Sequence, residues 1–172
     1  MILLFRLIKC LITSRFRPRI DVLGESVFRM RVWPNDLDLN MHVNSGRYGS
    51  FMDIGRVDLF VRMRVFRQVI RRGWRPINAA TMISHRKSLL PFERFTVRTR
   101  ILCWDEKWLY FEHLIERQDG ELAAVANARG LLRGRDGNVA PPALLELVGQ
   151  PGLPSPPMPL YIARWREAEA AR

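Results

Sequence analysis

Residues 36–61 read DLDLNMHVNSGRYGSFMDIGRVDLFV, and the change of period inside this stretch decides the fold. Over Asp36–Asn44 the polar side chains Asp36, Asp38, Asn40, His42 and Asn44 alternate with Leu37, Leu39, Met41 and Val43. An extended backbone projects two such sets from opposite faces. From Tyr48 the spacing turns helical: Tyr48, Phe51, Met52, Gly55 and Leu59 recur every three or four residues, and Ile54, Val57 and Val61 widen the apolar surface beyond one stripe. A helix apolar on most sides belongs inside a core. A half-buried strand alternates as residues 36–44 do, but Asp and Asn are poor strand residues that favour turns and caps. Asn44 or Ser45 is positioned to cap the helix. The run thus offers an acid, an amide and an imidazole together at the entrance of a buried helix, which suits hydrolytic chemistry.

Outward from this stretch the chain alternates between strands and turns. Residues 25–33 predict a strand closed by Pro34, and Val65, Phe66, Val69 and Ile70 predict a second helical piece ended by Gly73 and Pro76. Beyond it the period is two, with strands expected over 77–89, 94–104, 107–117 and 121–133. Asp119-Gly120 is a strong hairpin signal between the last two. Small residues from Ala123 to Gly130 would let a helix lie close against that final strand. One strand, a buried helix and consecutive antiparallel strands predict an α+β fold, a sheet of five or six strands wrapped around a long central helix. The expected organisation is a basic amphipathic segment over 1–20, a single body over 21–138, and a tail over 139–172. Seven prolines between Pro141 and Pro159 mark the tail, and residues 160–171 suit a short terminal helix.

The formal net charge of +11 is uneven, since residues 1–100 hold 20 Lys/Arg against 7 Asp/Glu. Such an excess suits nucleic acid, anionic lipid or a phosphate-bearing ligand. No nucleic-acid-binding motif is present, so no nucleic-acid partner is expected. Two cysteines form no disulfide framework, and three histidines lack metal-ligand spacing, so no metal site is expected. These features fit a cytoplasmic setting. Residues 1–19 are too short an apolar run to span a bilayer and lack a signal-peptide pattern. With Arg6, Lys9 and Thr13 on one helical face and Leu4, Leu7, Ile8, Leu11 and Ile12 on the other, the segment is either a helix on the inner face of an anionic membrane or a terminal helix packed on the protein's own sheet.

The run DLDLNMHVN resembles the Asp-x-Asp-x-Asn-x-His-x-Asn element of plant acyl-carrier-protein thioesterases, whose fold is the hotdog. Tyr48, Asp53 and Arg56 follow it as in the 4-hydroxybenzoyl-CoA thioesterase family. The stretch RKSLLPFERFTVRTRILCWDEKWLYFEH is similar to the subgroup around thioesterase superfamily member six, and the likeness covers about residues 25–135. It implies a hydrolase of fatty acid metabolism that cleaves acyl-CoA, with coenzyme A entering only as part of the substrate. It also implies Asp38, Asn40 and His42 as catalytic residues. Asp38 would activate water or attack directly, Asn40 would orient the water, and His42 would polarise or position. Backbone N–H groups near Asn44, Ser45, Gly46 and Arg47 would hold the carbonyl oxygen at the helix start, beside Tyr48. Arg86 and Lys87, with Arg94, Arg98 and Arg100 on one strand face, would meet the phosphates. Asp53 is a candidate second carboxylate, paired to Arg56 or facing a partner subunit. Phe51, Met52 and Leu59 would line the acyl tunnel. A single hotdog repeat implies a homodimer or dimer of dimers with the site at the interface. The reading from another class is a non-catalytic acyl- or lipid-binding protein at a membrane surface.

Overall fold

A computed structural model describes residues 2–171. The chain opens with helix α1 (Ile2–Arg15) and strand β1 (Ser26–Arg31), then a 3-10 turn at Pro34–Asp36. Helices α2 (Arg47–Arg62) and α3 (Phe66–Arg71) follow. After them come β2 (Arg75–His85), β3 (Arg94–Trp104), β4 (Leu109–Arg117), β5 (Leu122–Arg133) and the two-residue β6 (Asn138–Val139). Helices α4 (Pro141–Val148) and α5 (Leu160–Ala170) complete the chain. The strands form one antiparallel sheet in the order β1-β3-β4-β5-β2, with β6 added to the end of β5. The sheet wraps α2 in the hotdog arrangement.

Strand β3 illustrates how the pattern makes the fold. Phe95, Val97, Thr99 and Ile101 are buried, while the residues between them are partly or fully exposed. Inward residues of β3 meet Phe51, Met52 and Ile54 of α2 at one end of the core. Leu59, Phe60 and Met63 meet Ile101, Phe111 and the α4 residues Leu144 and Leu145 at the other. Fully burying a side chain such as Phe51 or Leu59 stabilises by roughly 1.5–3 kcal/mol. Helix and sheet approach closely at Gly55, where an added Cβ would collide with Thr99 Oγ1. Between β4 and β5, Gly120 adopts a left-handed φ of 88°, and Asp119 Oδ1 accepts the Glu121 N–H at 3.0 Å.

Three expectations are corrected. A bulge between Ile101 and Cys103 moves Cys103 away from the α2 core, to pack with Tyr110 and Ile162 under α5. Both sheet faces are therefore covered along β3 and β5, which simple alternation does not anticipate. The Pro-rich tail holds two helices rather than one; Pro141 and Pro142 fill the first turn of α4, where no N–H bond is lost.

Helix α1 reverses its expected amphipathicity. It packs on α2 with Arg6, Cys10 and Ser14 buried, while Leu4, Phe5, Ile8 and Ile12 face outward. The inward polar groups are satisfied. Ser14 and Ser26 both donate to Asp58, and Arg17 reaches the same carboxylate at 3.1 Å. Asp58 is thus fully buried beneath α1, with the Arg62 guanidinium 3.9 Å away. No described helix is long and apolar enough to cross a membrane.

Candidate active site

The run Asp36–Asn44 is a tight loop, not an extended segment. Leu37 and Val43 form an isolated antiparallel bridge, and the Asp38 N–H donates to the His42 carbonyl at 2.9 Å. Asp38 Oδ1 accepts the Asn40 N–H at 2.9 Å, a short side-chain-closed turn. Met41 takes a left-handed φ of 60°. Turning, rather than pleating, sends Leu39 and Met41 to solvent, so the polar residues do not share one face.

What the loop brings together is nevertheless chemical. Asp38 and His42 line a recess of about 240 Å³ with Ser45, His85, Arg86 and Lys87, closed by Val43, Tyr48 and Ser88. Asn40 does not line that recess; it lies on an adjoining shallow depression with Pro34, Leu39 and Met41, which Asp38 also borders. Asp36 is buried and ion-paired to Arg6 at 2.5 Å, so its role is structural. Tyr48 is a buried wall, set edge-on to the His85 ring at 4.6 Å between centroids. Burial raises its hydroxyl pKa, with Glu93 adding to the effect.

The helix start offers less than the sequence suggests. The Asn44 N–H donates to the Asp36 carbonyl, that of Gly46 to Asn44 Oδ1, and that of Arg47 to the Asn44 carbonyl. Only the Ser45 N–H has no partner among the described residues. The Arg47 side chain is turned back to the Asn35 carbonyl at 2.8 Å. The expected phosphate patch also shrinks. Arg98 is bound by Glu25 at 2.5 Å, and Arg100 by its cross-strand partner Glu112 at 2.7 Å. Arg86 and Lys87 remain at the recess, Lys87 with a loose 3.7 Å contact to half-exposed Glu121.

A second concavity of about 340 Å³ runs along the other side of α2. Asp53, Arg56, Val57 and Phe60 line it at i, i+3, i+4 and i+7, opposite Ile77, Phe111 and Leu131. This groove, and not the face carrying Phe51, Met52 and Leu59, is the open apolar space. Those three side chains are sealed in the core. Asp53 and Arg56 form the expected ion pair at its edge.

Behind that pair stands a group that no spacing or motif in the chain singles out. The buried His113 ring faces Arg56 Nη1 at 3.2 Å through Nε2 and Thr99 Oγ1 at 3.0 Å through Nδ1. Since Arg56 only donates, Nε2 accepts and the proton is on Nδ1. Burial, then the Arg56 charge, hold His113 well below the usual imidazole range, so it is neutral at pH 7. Among the described residues no three His, Cys, Asp or Glu side chains cluster as a metal site.

Residues 32–165 match the family model described as the Thioesterase-like superfamily. The chain belongs to that superfamily. Family membership supports thioester hydrolysis as the general chemistry. It is 30% identical over 154 residues to Protein THEM6 of Xenopus laevis, spanning 88% of this chain and 72% of that one. Against THEM6 of Danio rerio the identity is 34%, over 77% of this chain and 65% of the relative. Among solved structures, the DHNA-CoA thioesterase of Staphylococcus aureus superposes with a TM-score of 0.64 at 15% identity, over 86% of this chain and 89% of that one. At such identity the match establishes the hotdog fold alone.

Proposed function

We propose that the chain hydrolyses acyl-CoA thioesters at the Asp38–His42 recess. One observation carries the reading: an acid, two imidazoles and two cations line a single small recess at the start of the buried helix. Asp38 Oδ1 is occupied by the Asn40 N–H, which leaves Oδ2 to take the proton from an attacking water or to attack the carbonyl itself. The Ser45 N–H is the donor available for the developing oxyanion. A thiolate is a good leaving group, so the site has little more to supply than the nucleophile and that oxyanion contact. His42 and His85 flank the reacting atoms, and Arg86 and Lys87 meet the coenzyme phosphates as charged donors. Asn40 contributes through its backbone, by fixing Asp38, rather than by orienting water.

The acyl group belongs in the groove of Val57, Phe60, Ile77, Phe111 and Leu131. Within one chain that groove and the recess lie toward opposite ends of β2, whose Arg75 and His85 are about 33 Å apart along the strand. Among the described residues the outer edge of β2 has no partner, and it is largely exposed. A long bare edge is a template for a further strand. Antiparallel pairing of two copies across it sets the His85 end of one against the Arg75 end of the other, so that each recess adjoins the other copy's groove and Asp53. A homodimer with composite sites follows. A solution mass of twice 20.1 kDa is expected from ultracentrifugation; a monomer that turns over acyl-CoA would contradict the composite site.

Cytoplasmic placement with a peripheral membrane contact is the accompanying proposal. The outward Leu4, Phe5, Ile8, Ile12 and Phe16 of the N-terminal segment lie among Lys9, Arg15 and Arg19, the makeup of a helix resting on anionic lipid. Sedimentation with anionic but not zwitterionic vesicles is expected, and equal indifference to both would refute it. For the chemistry itself, thiol release from a series of acyl-CoAs is the test. Turnover that survives loss of Asp38 would refute its role, and no turnover of any thioester would favour the non-catalytic lipid-binding alternative.

A further inference from the structure

We propose that Arg6, on the N-terminal helix, is a positioning residue for the Asp38 loop. Its guanidinium donates to both oxygens of Asp36, at 2.9 and 2.5 Å, and to the Arg31 carbonyl at 2.7 Å. It also lies over the Phe51 ring, 5.1 Å from the centroid. Arg6 and Asp36 are 6% and 1% exposed, so the pair is held out of water.

Asp36 is the base of the loop. Its carboxylate also accepts the Trp33 N–H at 2.9 Å, and its carbonyl accepts the Asn44 N–H at 2.8 Å, closing the loop at both ends. Inside that closure come the Leu37–Val43 bridge and the Asp38-to-His42 backbone bond. The orientation of Asp38 and His42 is thus set by a carboxylate whose charge is balanced from 30 residues away. A buried carboxylate that loses its bidentate partner must move toward water or take up a proton, and either change releases the loop ends.

The N-terminal segment has a second polar anchor of the same kind, Ser14 in the last turn of α1 and Arg17 just beyond it on buried Asp58, which touches α2 and β1 but not the loop. That anchor supplies the control. In the full chain, Arg6→Met is expected to accelerate hydrogen exchange at the Asp38, Val43 and Asn44 amides at least tenfold, with Val97 of β3 unchanged. It should lower kcat for acyl-CoA about tenfold with KM within twofold. Arg17→Met should lower Tm without changing loop exchange or kcat. Arg6→Lys keeps the charge but not the two-pronged contact; it serves if the Met variant fails to fold, and should raise loop exchange by a smaller factor.

Unchanged loop exchange in Arg6→Met or Arg6→Lys would overturn the proposal. So would Arg17→Met loosening the loop and reducing kcat as Arg6→Met does, because the N-terminal segment would then act only through overall stability. The kinetic arm rests on the proposed hydrolysis. The exchange arm does not, so a wild-type chain without turnover would sink the function while leaving the positioning to be decided by exchange.

Discussion

Arg56 points its guanidinium at the Nε2 of buried His113, 3.2 Å away, and so fixes that imidazole as a neutral ring with its proton on Nδ1. The pair has a consequence for pH. The His113 pKa is low in the folded chain and returns to about 6.5 on unfolding. Below that value the unfolded chain holds a proton that the folded chain does not, so stability is full above pH 6.5 and falls as the pH drops through it. Thermal melts between pH 7.5 and 5.5 should show a declining Tm, and His113→Gln should flatten that decline even if its Tm at pH 7.5 is lower. An unaltered slope in the variant would assign the effect elsewhere.

Gly55→Ala is expected to destabilise. In an exposed helix interior the same change stabilises by about 0.5–1 kcal/mol. Here the new methyl meets Thr99 Oγ1 across the helix–sheet interface, and overpacking of that kind costs roughly 1–3 kcal/mol. Urea denaturation should therefore give a lower midpoint, opposite in sign to the propensity effect.

The thiols of Cys10 and Cys103 should be silent in the native protein. Both are buried, and desolvation pushes each pKa up to about 11, leaving almost no thiolate at neutral pH. Titration with a chromogenic disulfide at pH 7.5 should register two thiols only after denaturant is added. Because Cys10 is covered by the docking of α1 against Ile54, rapid labelling of that residue in the native state would contradict the packed position of the helix.

Much of this architecture was readable from local pattern, and the exceptions share one cause. Strand β3 begins and ends where its alternation does, at Arg94 and Trp104, and the Asp119-Gly120 hairpin falls where turn chemistry puts it. The central helix spans Arg47–Arg62, as its apolar spacing required. Arg6 groups with Lys9 and Thr13 in the helical pattern, yet it is buried, because its partner Asp36 is distant in sequence and no local rule pairs them. Cys103 changed faces because a bulge is invisible to a strict period of two. The motif run departs from an extended form for the reason its Asp and Asn content suggests. Five alternating residues satisfy the strand pattern, yet the Asp38 side chain closes a turn on Asn40, and turn formation overrode the alternation. In the sequence His85 is only a neighbour of Arg86 and Lys87. Its membership of the recess needed the register that aligns β2 with β5, His85 opposite Ala124.

The same turn dictates the most direct test of the site. Asp38→Ala would remove both the candidate base and the acceptor that holds the Asn40 N–H, mixing chemistry with loop shape. Asp38→Asn keeps an oxygen for that N–H and removes only the charge. Steady-state thiol release from acyl-CoA by Asp38→Asn should fall by about 10²–10⁴-fold, the span expected for loss of a general base, with Tm and loop exchange as in the wild type. Turnover within threefold of the wild type would contradict the assignment of Asp38 and, with it, the proposed active site.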